Sequence, residues 1–232
     1  MSKQEKVFTP RVVLQIVFFL VIWPLIPLLI SRQWDWWGAW VYFIVSLLGF
    51  VISRMLARRR NPDIIAERAH SLEKENTQSW DKKLFTLMGV FGFLTLVVIG
   101  LDKLFGWAPD FSLVVELVAL FFVLAGYALG SYALIENRYF SGVVRLQPER
   151  GHHVISGGPY RWMRHPGYAG ALITYLATPF FLDSAWALIP TLVVVGALVV
   201  RTSKEDQFLQ AELDGYREYA GRVRYRLLPG VW

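Results

Sequence analysis

The feature that most constrains this chain is a series of apolar runs, each close to a bilayer crossing in length, whose connections alternate between strongly basic and nearly uncharged. A helix needs about 20 residues to cross ~30 Å of hydrocarbon. The runs fall at residues 12–31, 37–56, 84–105, 111–135, 168–182 and 185–200. The last two are short and predict a hairpin turned at Asp183 and Ser184. Backbone polar groups in lipid must pair within their own segment, and no period-2 alternation favours a barrel. The expected fold is therefore all-α: a polytopic membrane bundle of about six hydrophobic helices, the last two a short hairpin.

The basic residues orient this bundle. Three Lys or Arg precede the first run, eight lie within 54–83, five within 136–167 and six from Arg201 onward; only Arg32 and Lys103 fall elsewhere. The positive-inside rule then puts both termini and the long basic connections in the cytosol. The net charge of +6 follows from this placement, so nucleic acid is not needed to explain it. Composition agrees: 55% hydrophobic and only 18% charged residues leave too little charge to cover a soluble domain. The first run, with Trp23, Pro24 and Pro27, is expected to be a retained helix and not a cleaved signal.

The expected organisation is one membrane domain over 1–232. Residues 1–135 supply N-terminal transmembrane helices, and 136–232 carry the catalytic region. Asn61-Pro62-Asp63 predicts the start of a short surface helix over 62–70. Apolar spacing over Ser203 to Gly221 predicts an amphipathic helix at the membrane surface.

Chemistry-bearing residues concentrate at 149–170, ERGHHVISGGPYRWMRHPGYAG. Gly157-Gly158-Pro159 permits a tight turn and a close backbone approach to a ligand. Pro166 holds His165 extended and opens the next helix, whose free N–H groups attract anions. A second group lies at RTSKED, where Arg201 and Glu205 share one helix face and can pair with each other. The chain has no cysteine, which excludes disulfides, thiolate metal sites and a cysteine nucleophile. His152 and His153 are adjacent, a poor spacing for one ion, so no metal site is expected. No strand–helix unit surrounds the glycines, so they form neither a dinucleotide fingerprint nor a phosphate loop.

The order of these elements is a His, Gly-Pro-Tyr, Arg-His-Pro-x-Tyr-x-Gly, a hydrophobic hairpin, then an acidic pair in RTSKEDQFL and a final YREYAGRVRYRLLPG. It resembles the isoprenylcysteine carboxyl methyltransferase family, part of a wider group with the phospholipid methyltransferases. The strong match covers about residues 149–230, and the upstream RNPDIIAER and WDK resemble bacterial members. The resemblance implies S-adenosylmethionine as methyl donor, held by His153, Gly158, Tyr160, His165, Pro166, Tyr168, Gly170 and Glu205. Asp206 departs from the family's second Glu and is one carbon shorter. In the implied chemistry, His165 or backbone N–H groups bind the donor's carboxylate, and Glu205 binds its ammonium or a ribose hydroxyl. Tyr160 or Tyr168 faces the sulfonium, and Arg201 or Arg164 holds a carboxylate acceptor.

The expected acceptor is an amphiphilic small molecule, a prenylcysteine-like carboxylate, entering from among the membrane lipids. N-methylation of a lipid amine is the alternative within this class and would need Glu205 or a histidine as proton sink. An NADPH-dependent reductase of the sterol-reductase type is the alternative enzyme class. A transporter would place ionisable residues inside the spans, whereas Asp102, Lys103 and Glu116 sit near span ends.

Overall fold

The computed structural model describes residues 10–69 and 77–232, which are helical with connecting turns and contain no strand. Lys3, Lys6 and the end of the predicted 62–70 helix lie outside the described residues. The elements are α1 (Pro10–Val17), a π-helical turn (Phe18–Ile22), α2 (Trp23–Ser31), α3 (Trp37–Arg60) and α4 (Ile64–Ala69). They continue with α5 (Ser79–Phe105), α6 (Leu113–Glu136), α7 (Pro166–Phe181), α8 (Leu188–Glu212) and α9 (Tyr216–Arg222). Among the described residues four helical stretches are long and apolar enough to cross a membrane: Val13–Ser31, Trp37–Arg60, Ser79–Phe105 and Leu113–Glu136. Side chains such as Leu14, Val114 and Phe121 are exposed on their outer faces, as expected of positions that contact lipid tails.

Local chemistry explains several details. Pro24 offers no N–H to the carbonyl one turn back, and the helix widens into the π turn immediately upstream. The α7–α8 hairpin turns at Asp183, which adopts a left-handed φ of 51°. Asp183 and its neighbour fasten the turn: the Asp183 carboxylate accepts from Phe111 N–H (3.0 Å) and Ser184 Oγ donates to buried Asp102 (2.6 Å). The 16 residues of α7 span about 24 Å at 1.5 Å per residue, short of a full hydrocarbon crossing.

One boundary differs from expectation. The sequence predicts that the last apolar run ends near 200 and that a separate surface helix begins at Ser203. Instead α8 continues unbroken for 25 residues from Leu188 to Glu212. The apolar run marks where lipid contact ends, while Lys204, Glu205, Gln207, Gln210 and Glu212 continue the helix because all are good helix formers. The break comes at Gly215, with φ 76°, and α9 follows.

Hydrophobic burial does not drive helices together in lipid, so close approach of small residues matters more. Helices α6 and α7 meet at Gly126, Gly130 and Gly170. A methyl group on Gly170 would lie 2.6 Å from the Gly126 carbonyl oxygen and 2.7 Å from the Gly130 nitrogen. This contact sets how closely the site-bearing start of α7 lies against the end of α6.

Candidate active site

Residues 137–165 form an irregular connection with 3₁₀ turns at Pro148–Arg150 and Gly158–Arg161. It is tied down from both sides. On one side the α3–α4 segment supplies carboxylates. Asp63 accepts from Arg150 Nε (3.0 Å), and Glu67 accepts from Arg145 (2.8 Å), both within the RNPDIIAER segment. Arg60 of the same segment pairs with Glu136 (3.0 Å). On the other side the C-terminal residues add main-chain bonds. Arg164 and His165 donate their backbone N–H groups to Tyr225 and Arg226 carbonyls (2.9 Å each), and Tyr219 Oη donates to the Tyr160 carbonyl (2.6 Å).

At the centre of this clasp is Asp206, fully buried. Its carboxylate accepts from Arg164 Nε and Nη2 (2.6 and 2.9 Å), Arg226 Nε (2.9 Å), Gln210 Nε2 (2.8 Å) and Tyr216 Oη (3.1 Å). His165 Nε2 lies 3.3 Å away. Burial alone would raise the Asp206 carboxyl, but bonds from His165, Arg164 and Arg226 outweigh it and hold the group well below the usual carboxylate range. The shorter side chain reaches its partners because they converge on it. Tyr216 moves the other way, raised by burial and then by the Asp206 and Glu205 charges.

A second buried pair lies beneath. Arg201 donates to both oxygens of Asp81 (2.6 and 3.1 Å) and to the Gly142 carbonyl (2.9 Å). Asp81 is the acid of the WDK segment, and it also accepts from Val144 N–H (2.8 Å). The Arg201 guanidinium lies 5.2 Å from the centre of the Tyr168 ring. Arg201 and Glu205 therefore do not pair with each other, as their spacing alone suggested. Glu205 instead accepts a hydrogen bond from Tyr168 Oη.

A polar cavity of about 110 Å³ collects most of the expected residues: His153, Tyr160, Arg164, His165, Tyr168 and Glu205 line it. Val154, Ile155, Leu209 and Leu213 give it apolar walls, and Tyr216 and Tyr219 close it. His153 Nδ1 lies between two oxygens, Tyr139 Oη (2.8 Å) and the Gly151 carbonyl (3.0 Å), while the Tyr139 hydroxyl donates to Gly151 (2.7 Å). That arrangement assigns the proton to Nδ1 and leaves Nε2 as an acceptor. His152 is neutral over the physiological range: burial first, then the neighbouring His153 ring and the charges of Arg145 and Arg150, bring it down to about 4.

Not every expected residue reaches this cavity. Gly158, with φ 53°, turns the chain against Tyr132 and Glu136. Pro166 opens α7, and Gly170 serves the α6–α7 contact. Arg164 borders the cavity, yet its guanidinium is bidentate on Asp206 and also donates to the Val223 and Arg224 carbonyls (2.7 and 2.9 Å). Arg201 is similarly taken by Asp81. Both arginines are thus held by the protein's own carboxylates, which differs from an expectation of open carboxylate anchors.

A second cavity of about 360 Å³ lies within the bundle. α3 lines it with Tyr42, Ser46, Gly49, Phe50, Ser53 and Arg54, one helical face, and α5, α6 and α7 complete it. Phe140 and Gly167 border both cavities. A methyl group on Gly167 would sit 2.5 Å from the Phe140 ring, so the missing side chain is what lets this ring lie across the start of α7 as the partition.

A polar pocket that backs onto an intramembrane cavity, walled by the Arg-His-Pro-x-Tyr segment and Glu205, is the setting in which the sequence comparisons fall. Residues 117–211 match the model of the isoprenylcysteine carboxyl methyltransferase (ICMT) family. The matched stretch runs from α6 through nearly all of α8 and so carries both cavities' shared wall. A probable protein-S-isoprenylcysteine O-methyltransferase of Oryza sativa subsp. indica is 31% identical over 112 residues, 47% of this chain and 59% of the relative. Protein-S-isoprenylcysteine O-methyltransferase A of Arabidopsis thaliana is 27% identical over 145 residues, 60% of this chain and 70% of the relative. The chain thus spans 59% of the length of the rice relative. The solved structure of a eukaryotic intramembrane Ras methyltransferase, ICMT, aligns with a TM-score of 0.50 over 97% of this chain and 87% of that one, at 16% identity. That likeness is one of fold, and it extends the correspondence through the helices before residue 117.

Sequence reasoning missed Asp206 as a hub, Asp81 as the partner of Arg201, and the roles of Tyr139, Tyr216 and Arg226. Asp81 and Glu67 sat within motifs already noted, WDK and RNPDIIAER. Their partners lie 120 and 78 residues away, and local spacing carries no signal for such pairs.

Proposed function

We propose that this chain is an integral membrane S-adenosylmethionine-dependent methyltransferase that esterifies the carboxylate of an amphiphilic, prenylcysteine-like acceptor. The observation that carries the reading is the partition at Phe140 and Gly167. A cavity lined by polar and charged side chains meets a largely apolar one within the helical bundle at this wall. The ICMT family segment supports the same reading.

The donor set fits S-adenosylmethionine. Glu205 is the carboxylate for the ammonium, and the His153 Nε2 acceptor suits a hydroxyl or amino hydrogen. Val154, Ile155, Leu209 and Leu213 suit a flat base, and the tyrosine rings suit a sulfonium. His165 is turned toward Asp206, and the Tyr168 and Ala169 N–H groups donate to the His165 carbonyl, which leaves the Gly167 N–H at the start of α7 for the donor's carboxylate. When bound, S-adenosylmethionine supplies the methyl group: the carboxylate oxygen bonds to it as the S–CH₃ bond breaks and sulfur keeps the electron pair, so anion and sulfonium become neutral ester and thioether.

Charge disappears in this step, so a dry, low-dielectric site favours it and no general base is required. The chain's own task is alignment. Asp206 and Asp81 are positioning residues: they fix Arg164, His165 and Arg201, and through them the Tyr168 ring and the start of α7. The distribution of Lys and Arg supports a cytosolic position for both termini and the polar cavity. Within this reading residues 1–135 and 136–232 form one domain, the first supplying acceptor-side helices and the second the catalytic region.

Calorimetry on detergent-purified protein tests the donor. Wild type is expected to bind S-adenosylmethionine at micromolar affinity, and Glu205→Gln at least tenfold more weakly. Equal affinities in the two proteins would remove Glu205 from the site.

A further inference from the structure

The charge of a carboxylate acceptor needs a cation at the partition, and the two arginines that the sequence offered are held by Asp206 and Asp81. A third is available. Among the described residues Arg54 is the one charged side chain lining the intramembrane cavity, among otherwise apolar, hydroxyl and glycine positions. The α3 residues that line this cavity run from Tyr42 to Arg54, so Arg54 lies at the end toward Arg58, Arg59 and Arg60. Phe140 and Gly167 border the same cavity.

Arg54 is not arranged as a topological charge. It lies six residues before the end of α3 at Arg60, which is ~9 Å along the axis. An arginine at this depth normally extends toward the headgroups, here toward the α3 C-terminus. The Arg54 guanidinium instead lies 4.7 Å from the centre of the Phe50 ring, one turn deeper. Its hydrogen bond goes to the neighbouring Ser53 Oγ (3.3 Å), and no described carboxylate pairs with it. A second guanidinium, Arg68, lies 5.2 Å from the Phe140 ring centre.

We propose that Arg54 is the acceptor-side anchor: it receives the carboxylate of an amphiphilic acid whose hydrocarbon tail occupies the intramembrane cavity, and so selects acids over neutral lipids. The assignment rests on the methyltransferase reading for what happens to that carboxylate, but the recognition itself is separable from turnover. Arg54 projects its charge from the front half of the chain, outside residues 117–211, so acid selection is built by a helix that the family segment does not include.

The test compares binding of N-acetyl-S-farnesylcysteine with binding of its uncharged carboxamide, by calorimetry at pH 7.5 in detergent, for wild type, Arg54→Lys and Arg54→Gln. Wild type is expected to prefer the acid at least tenfold, Arg54→Lys to keep part of that preference, and Arg54→Gln to bind acid and amide equally. An unchanged preference in Arg54→Gln would overturn the assignment. So would equal binding of acid and amide by wild type, a result that needs no variant to fold. Methyl transfer measured alongside separates the two claims. An acid preference that depends on Arg54, with no transfer by wild type, would leave the anchor standing and count against the methyltransferase reading.

Discussion

Asp206→Asn is the substitution whose consequences the structure defines most closely. It preserves the shape of the side chain but removes the charge that three cationic or potentially cationic groups share, Arg164, Arg226 and His165. One carboxylate oxygen becomes an NH₂ group facing donors, so at least one guanidinium is left with a donor against a donor. Removing one partner of a buried pair costs about 3–5 kcal/mol, because the remaining charge stays buried without compensation. The loss is expected in reversible unfolding in mixed micelles. It should be accompanied by faster amide exchange at Leu227 and at Arg164 and His165, whose N–H groups bond within the same clasp. The pH dependence has a definite sign. Asp206 titrates below an ordinary carboxyl, so its contribution is complete above pH ~4 and declines only as pH falls further, toward its folded value. The gap between wild type and variant should therefore be constant from neutrality to about pH 4 and narrow below it. A loss under ~1 kcal/mol, the scale of an exposed bridge, with unchanged exchange, would refute the clasp.

Two further outcomes are expected. Gly170→Ala forces a methyl group to within 2.6 Å of the Gly126 carbonyl oxygen; the helices must separate, at about 1–3 kcal/mol for overpacking, and an unchanged melting temperature would contradict the close contact. His152 should titrate near pH 4 in labelled-histidine NMR against 6.5 in the unfolded chain. Its contribution to stability is then full above pH 6.5 and is lost as pH falls toward 4; a midpoint near 6.5 in the folded protein would remove the burial that explains it.

The fold was largely legible because the bilayer enforces helices and because apolar length and basic alternation are read directly from the chain. The hairpin turn at Asp183 and Ser184 was visible for the same reason. The end of α8 was not, since hydropathy reports lipid contact and Arg201 to Glu212 is helical outside lipid. At the site, Tyr168 was legible as a chemistry-bearing residue next to a helix start, and Glu205 as one sharing a helix face with Arg201. What each touches was not: Arg201 bonds to a carboxylate 120 positions earlier, and Asp206 gathers donors from the connection before α7, from α8 and α9, and from the C-terminal residues. Gly170 entered the donor set through the resemblance, and its packing role against Gly126 and Gly130 of α6 had no local signal. Arg54 was counted among topogenic charges, and only the cavity beside it distinguishes it from Arg58, Arg59 and Arg60.

The central claim is methyl transfer to a carboxylate, and product chemistry tests it most directly. Purified protein in detergent is incubated with methyl-labelled S-adenosylmethionine and N-acetyl-S-farnesylcysteine, and the lipid-phase product is treated with mild base. The account predicts label in the lipid phase that base releases as methanol, with none formed from the carboxamide. Label that survives base, or no label in the lipid phase with folded protein that binds both ligands, would contradict it.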